Sequence, residues 1–347
     1  MSRQSTKRTS RVAVRSESAA SKKPPMLFED TQKIIARLQK RVGGTFVSYW
    51  NSVRGSICHN DVVVLQQILR KANVNEQAFI FIKSDGGNGE ASLRMVNLVR
   101  TYFQHIKALV PLNCESAATM FVLGADEIQM GPMAFLSAVD SSLRHDLSPV
   151  DKDNDLVSVG ANELMRILRQ WREEAGAKDQ NPFAEIYKYI HPLVIGAIDR
   201  MDSLSVKLCE EILSFHMKDT KRIKRIAYAL NNDFPSHGYP ILLREARRLG
   251  LNVKPLDREI EADLVELHEL YSEMSKRHRI DHDEQNHHDT ELVSIHETAG
   301  AMVYFVIDKD WHWRESDRTW IATNDQSKWR MRQRAGTKVV DEELHIR

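Results

Sequence analysis

The feature that most constrains the fold is an alternation of apolar, strand-like runs with amphipathic, helix-like runs over roughly residues 43 to 150. The apolar runs are GTFVSYW, QAFIFIKS and IKALVPL, and between them lie HNDVVVLQQILRKA and ASLRMVNLVRTYFQH, whose apolar residues recur at helical spacing. Apolar strands that alternate with helices are typical of a parallel sheet with helices on both faces. The sequence therefore predicts an α/β fold built from a series of βαβ units.

Composition excludes several classes of protein. Lysine and arginine total 49 against 48 acidic residues, so a net charge of +1 provides no overall attraction to nucleic acid or to an anionic membrane. Cys58, Cys114 and Cys209 are widely spaced, as in neither a disulfide framework nor a zinc site, which favours a reducing, cytoplasmic location. No apolar run approaches the roughly 18 to 20 residues that cross a bilayer. We expect no membrane span and no nucleic-acid partner.

The chain is expected to divide into five parts. Residues 1–25 are basic and serine-rich, which predicts a disordered tail, with a nucleic-acid arm or a transit peptide as alternatives. The main α/β domain occupies 26–256, including helical additions in its second half. A charged helix and a His-rich polar linker follow at 257–300. Alternating aromatic and polar residues predict a small Trp-rich β-appendage at 301–335, and 336–347 form a tail.

Two clusters in the C-terminal third have alternative interpretations. The histidines of the 278–296 segment could bind a divalent metal, but no HExxH-like motif fixes the ligands, so a polar linker is favoured and no metal is expected. The tryptophans could line a peptide-binding or base-stacking surface, although packing of a small sheet is favoured. They are Trp311, Trp313, Trp320 and Trp329.

Two motifs in the main domain carry residues suited to acyl chemistry. SDGGNGE follows a predicted strand, and its glycines can turn backbone N–H groups toward a ligand oxygen; it lacks the spacing of a phosphate loop or a dinucleotide fingerprint. CESAATMFVLGADEIQMGP places Ser116 directly before a predicted helix that begins near Ala117. Such a serine either caps the helix or is placed to attack a carbonyl.

Together, FIKSDGGNGEA and CESAATMFVLGADEIQMGP resemble the superfamily of the Clp peptidases and signal peptide peptidase A, which have the ClpP/crotonase fold. The resemblance narrows on the serine dehydrogenase proteinase family, a group of ATP-independent serine peptidases. HGYPILLREARRLGLNV, residues 237–253, is similar to a signature of that family, with Gly238 in place of its usual aspartate. These motifs cover residues 43–255 and imply a ClpP/crotonase-like spiral of βαβ units that forms homo-oligomers.

The resemblance also implies roles for individual residues. Ser116 would be the nucleophile, and the N–H groups of Gly87 and Ala117 would form the oxyanion hole. The implied activity is hydrolysis of peptide bonds in a peptide or protein substrate through an acyl-enzyme, with no cofactor. Two alternatives stay open: an acyl-CoA enzyme of the crotonase type, and a catalytically silent scaffold that retains the fold for assembly.

The general base is not assigned by sequence. The histidine that follows the serine in Clp peptidases is missing, since Ser141 stands at that position. Lys152 lies where a lysine base would fall in stomatin-cleaving relatives, although the acidic residues on either side of it favour its protonated form. His145 could be oriented by Asp146 or Asp140, and His237 stands in a family motif. Lys152, His145 and His237 therefore all remain candidates.

Overall fold

The computed structural model describes residues 23–140, 142–143, 145–149, 157, 159–173, 186–336 and 338–346. Its helices are α1 (Phe28–Val42), α2 (Asn60–Lys71), α3 (Gly89–Tyr102), α4 (Ala117–Leu123), α5 (Ala161–Glu173), α6 (Pro192–Ser214), α7 (Thr220–Asn232), α8 (Leu243–Leu249) and α9 (Arg258–Met274). Its strands up to β9 are β1 (Thr45–Asn51), β2 (Gln77–Lys83), β3 (His105–Val110), β4 (Asn113–Cys114), β5 (Glu127–Met130), β6 (Phe135–Leu136), β7 (Ser142–Leu143), β8 (Val159–Gly160) and β9 (Val253–Pro255). The later strands are β10 (His278–Asp281), β11 (Asn286–Thr298), β12 (Ala301–Arg314), β13 (Thr319–Asp325), β14 (Lys328–Ala335) and β15 (Lys338–Leu344).

The predicted α/β class is confirmed, and its centre is a parallel sheet in the order β1, β2, β3, β5, β9. Both faces of β2 are buried: Ile80 and Ile82 pack in one apolar core, and Phe79 and Phe81 in another. Helices α2, α3, α4, α6 and α7 contribute to the first core, and α1 and α9 to the second. Burial on two faces explains why the strands read as continuous apolar runs rather than as alternating ones.

The C-terminal strands extend this sheet. Strand β11 pairs antiparallel with β1, placing Ile295 opposite Trp50, and β12, β14 and β15 follow beyond it, while β10 and β13 pair with β11 and β12. The antiparallel strands expected at 301–335 are present, but they continue the central sheet through β11. The interpretation of 281–300 as a polar linker is wrong, because most of that segment is β11. The expected tail after residue 335 contains β15.

The polar composition of 281–300 predicted a linker wrongly, because polar side chains of this segment are buried and hydrogen-bonded within the fold. Glu297 on β11 is fully buried, and its carboxylate accepts hydrogen bonds from Thr31 Oγ1, Gln32 Nε2 and Tyr271 OH, each at 2.7 Å. Three donors offset much of the cost of burying this group. Glu297 thereby joins β11 to α1 and α9, a contact that a linker assignment could not anticipate.

Glu297 should make stability depend on pH. Burial raises the pKa of this carboxyl to about 7, although its three hydrogen bonds act to lower it. An acid with a raised folded pKa binds its proton more tightly in the native state, so its stabilising effect is complete below its unfolded pKa of about 4.3 and is lost as the pH rises to 7. We expect the free energy of unfolding to fall by about 3 kcal/mol over that range relative to Glu297→Gln. Urea titrations of both proteins at pH 4, 5, 6 and 7 would measure this difference, and an equal dependence of the two unfolding free energies on pH would contradict the prediction.

Across the described part of the chain, none of the helices combines the length and apolar character needed to cross a bilayer.

Candidate active site

Ser116 lies at the junction between β4 and α4, in a backbone conformation that is unusual for a residue with a side chain. Its φ is 52° and its ψ is −118°, and its hydroxyl forms no capping hydrogen bond with α4. The structure therefore gives no support to the capping role that sequence left open. A strained residue at the start of a helix is held there by its surroundings, and such strain is concentrated at functional sites.

Two buried hydroxyl residues hold Ser116 in place. The Ser116 N–H donates to Ser137 Oγ at 2.8 Å, and the Ser137 N–H donates to Thr119 Oγ1 at 3.1 Å. Thr119 Oγ1 in turn donates to the carbonyl of Cys114 at 2.7 Å. Sequence analysis missed Ser137 and Thr119 as supporting residues, because no local pattern shows that β6 lies beside the serine turn.

The strain at Ser116 predicts a difference in stability between two substitutions at this position. Glycine adopts a positive φ without the steric cost that a Cβ imposes, which is about 1–2 kcal/mol. We expect Ser116→Gly to be more stable than Ser116→Ala by about 1 kcal/mol. Denaturant unfolding of the two variants would measure this difference, and equal midpoints with equal slopes would show that the turn is unstrained.

The SDGGNGE motif brings backbone amides next to Ser116. Gly86 and Gly87 have φ values of 104° and 141°, which side chains rarely adopt. The Gly86 carbonyl accepts from the Ile57 N–H at 2.7 Å, and the Asn88 N–H donates to the Ile57 carbonyl at 2.9 Å. Gly87 N–H therefore points away from Ile57, and within the described residues neither it nor the Ala117 N–H has an acceptor. Two free amides beside a serine are what an oxyanion hole requires.

Ser116 opens onto a pocket of about 300 Å³, whose lining includes Gly87, Ala117, Asp140 and His237. The structure thus brings together the predicted nucleophile, both predicted amides and one of the three candidate bases. Apolar side chains contribute much of the remaining wall and could accommodate an apolar part of a ligand. They are Met120, Val139, Met201, Leu204 and Leu208.

His237 is paired with a carboxylate at this pocket. Its Nδ1 lies 3.0 Å from Asp140 Oδ1, and the Asp140 side chain is 10% exposed while that of His237 is 50% exposed. The hydrogen bond to Asp140 raises the pKa of His237 above its usual 6.5, against the opposing effect of burial. Since half of the imidazole faces solvent, screening keeps the effect of the pair on stability small. Sequence considered Asp140 as a partner of His145, whereas the structure pairs it with His237.

The other two candidate bases have different positions. His145 does not line the pocket; its backbone N–H donates to Ser148 Oγ at 3.0 Å, and its Nδ1 accepts from the Leu147 N–H at 3.1 Å. Its imidazole is thus engaged within its own turn. Lys152 lies outside the described residues.

The histidines of the 278–296 segment are distributed over β10, β11 and the turn between them. His287 packs against Trp320, with ring centroids 4.3 Å apart, and His288 Nδ1 lies 2.8 Å from Asp310 Oδ1. His296 is buried beside Asp61. Over the ranges that the structure describes, no three histidine, cysteine or acidic side chains stand close enough together to hold a metal ion.

A scan against protein-family models finds no match for the sequence, and a search of curated proteins finds none either. Among solved structures, the chain is similar to an alanine-substituted form of a membrane-bound stomatin-specific protease, with 12% identity, 67% of this chain and 87% of that chain covered, and a TM-score of 0.38. A form of that protease in complex with a substrate peptide is 13% identical over 64% of this chain and 80% of that one, also at 0.38. ClpP1 from Listeria monocytogenes is 14% identical over 68% and 99%, with a TM-score of 0.34. At identities this low, what the Ser116 pocket can do rests on its own geometry.

Proposed function

We propose that this protein is an ATP-independent serine peptidase that hydrolyses peptide bonds through an acyl-enzyme on Ser116. The observation that carries the proposal is the pocket where strained Ser116 meets the His237–Asp140 pair and the amides of Gly87 and Ala117, which have no acceptor among the described residues. A nucleophile, oxyanion donors and an oriented base are the three parts that acyl transfer needs.

The proposed mechanism assigns one step to each group. Asp140 accepts a hydrogen bond from His237 Nδ1–H and so leaves Nε2 as the proton acceptor. His237 removes the proton of Ser116 as Oγ attacks the substrate carbonyl, and the two amides stabilise the oxyanion. His237 then protonates the leaving amine, and a water molecule, activated by the same imidazole, hydrolyses the acyl-enzyme.

The contact between base and nucleophile is completed when substrate binds. Among the described residues, the Ser116 hydroxyl has no hydrogen-bond partner. Catalytic hydrogen bonds are often long before the substrate arrives, and they tighten in the complex. Lys152 would serve instead if His237 is dispensable.

Family and assembly are part of the proposal. The motifs in residues 43–255 support assignment to the serine dehydrogenase proteinase branch of the ClpP/crotonase superfamily, and through it ATP independence, a homo-oligomer and a cytoplasmic location. The roughly even charge balance is consistent with a peptide or protein substrate rather than nucleic acid.

The pH dependence of labelling by a fluorophosphonate tests the assigned base. His237 acts only when neutral, so the rate should rise about tenfold per pH unit below its pKa and level off above it, at a pH higher than 6.5. Asp140→Asn removes the carboxylate that raises this pKa, so the rise should move to lower pH. The plateau should also fall about 10²- to 10⁴-fold, because the ring loses its orientation.

Intact-mass spectrometry over time at pH 5 to 9 would supply these rates. His145→Gln is the matched control, since that imidazole lies outside the pocket, and its profile should coincide with that of the unaltered protein. A His237→Gln protein that is labelled at the normal rate would exclude His237 as the base.

A further inference from the structure

A buried polar network adjoins the Gly86–Gly87 turn without lining the Ser116 pocket. We propose that this network is a positioning device, in which Asn51 and Asp61 hold the turn from two directions and keep the Gly87 amide aimed at the substrate carbonyl. The expected effect on catalysis rests on the proposed function, whereas the expected effect on the rigidity of the turn does not. None of these side chains touches the reacting atoms, so they act through Gly87.

The first connection runs from Asn51 through Ser84. Asn51 Nδ2 donates to Ser84 Oγ at 3.0 Å, and the same oxygen accepts from the Gly86 N–H at 3.2 Å. The Ser84 carbonyl also accepts from the Glu115 N–H at 3.0 Å, directly before Ser116. Ser84 is therefore tied to both sides of the proposed oxyanion hole, and Asn51 fixes its hydroxyl.

The second connection runs from Asp61 through the backbone of residues 57 and 58. Asp61 Oδ2 accepts from the Cys58 N–H at 2.7 Å, and the adjacent Ile57 is hydrogen-bonded to Gly86 and Asn88. Gly87 and Ile57 are in close backbone contact, because a Cβ on Gly87 would lie 2.4 Å from the Ile57 carbonyl oxygen. A displacement of Ile57 is consequently passed to Gly87.

Tyr49 links the two connections. Its hydroxyl donates to Asp61 Oδ2 at 2.8 Å and lies 3.4 Å from Asn51 Nδ2. On the far side of the carboxylate, His296 Nε2 lies 3.6 Å from Asp61 Oδ1 and 3.2 Å from Ser294 Oγ. Strand β11, expected from sequence to be a linker, thus supplies the outer end of the network.

The burial of these polar side chains argues against a purely structural role. Tyr49, Asn51, Ser84 and His296 are all fully buried, and Asp61 is 1% exposed. Burying a carboxylate is costly, and replacing buried polar groups by well-packed apolar ones is often neutral or stabilising. The Gly86–Gly87 turn must hold the Gly87 amide in one direction. Hydrogen bonds define direction and apolar contacts do not, which explains why the network beside this turn is polar.

Two nearly isosteric variants, Asn51→Leu and Tyr49→Phe, test the device in the full-length protein. Amide hydrogen exchange of the peptide spanning 84–88 should become about fivefold to tenfold faster, as loss of one hydrogen bond predicts. In Tyr49→Phe the peptide that contains Ile57 and Cys58 should also exchange faster, and exchange in the rest of the chain should be unchanged. Fluorophosphonate labelling should show a maximal rate reduced about tenfold to hundredfold with the probe concentration for half-maximal rate unaltered, because the amide is misplaced rather than the pocket closed.

Ser48→Ala is the matched control. Ser48 is fully buried on the same strand, but the period of two along β1 places it on the opposite face from Tyr49 and Asn51. It should leave both measurements unchanged. Unaltered exchange at 84–88 in both test variants would overturn the positioning role. If the unaltered protein takes up no label, the peptidase proposal fails, and the exchange data still decide whether the network holds the turn.

Discussion

In a Ser116→Ala protein, fluorophosphonate labelling and peptide hydrolysis are expected to fall to background, a loss of at least about 10³-fold. The reason is chemical: no other hydroxyl shares the position beside the unpaired amides of Gly87 and Ala117 in the described structure. Intact-mass spectrometry of the unaltered protein should show a single adduct, and peptide mapping should locate it on Ser116.

Ser205 provides an internal control for that result, because it lines the same pocket. Its hydroxyl proton is already donated to the Val139 carbonyl at 2.8 Å, so Ser205 should remain unlabelled. An adduct that persists in Ser116→Ala would move the nucleophile elsewhere. Absence of any adduct from correctly folded, unaltered protein between pH 5 and 9 would favour the catalytically silent scaffold.

Gly87→Ala is expected to have the second large effect. The added methyl would lie 2.4 Å from the Ile57 oxygen and 2.6 Å from the Ile57 nitrogen, and the φ of 141° is one that alanine rarely adopts. Backbone atoms cannot rotate aside, so the turn must shift and carry the Gly87 amide with it. Loss of one oxyanion donor predicts labelling slower by about 10²- to 10³-fold, and the strain predicts a protein destabilised by about 1–3 kcal/mol.

Gly196→Ala is the matched substitution for this experiment. Gly196 lies inside α6, where a Cβ would meet nothing within 4 Å. The change should leave labelling intact and raise the free energy of unfolding by up to about 1 kcal/mol, since alanine favours helix. Normal labelling of Gly87→Ala would show that this amide is not an oxyanion donor.

The parts of the site that could be predicted are those that depend on local sequence patterns. The serine turn and the glycine turn could be located because each follows a predicted strand, and joint roles for Gly87, Ser116 and Ala117 were implied by the resemblance of these motifs to a peptidase family. The partnership of His237 with Asp140 could not be foreseen, because it joins residues separated by the whole of α6 and α7. For the same reason Ser137 went unnoticed as the acceptor for the Ser116 amide.

Residues 281–300 show a second limit of prediction from sequence. Its histidines and acidic residues suggested a solvated linker, but Glu297 and His296 are among the most buried residues of β11. Composition shows how polar a segment is. It does not show whether a distant tyrosine or glutamine supplies the hydrogen bond that offsets the cost of burying a polar group. Antiparallel pairing of β11 with β1 joins segments that lie far apart in the sequence, and nothing local in either strand specifies it.

The sequence by itself determined the α/β class, the succession of βαβ units and the positions of the serine turn and the glycine turn, because apolar periodicity and turn residues act over a few neighbouring positions. The tertiary structure alone decided that β11 extends the central sheet, that Asp140 pairs with His237 beside Ser116, and that Asn51 and Asp61 stand behind Gly87. Those arrangements depend on which buried polar groups find partners across the fold, and that is settled only when the whole chain is packed.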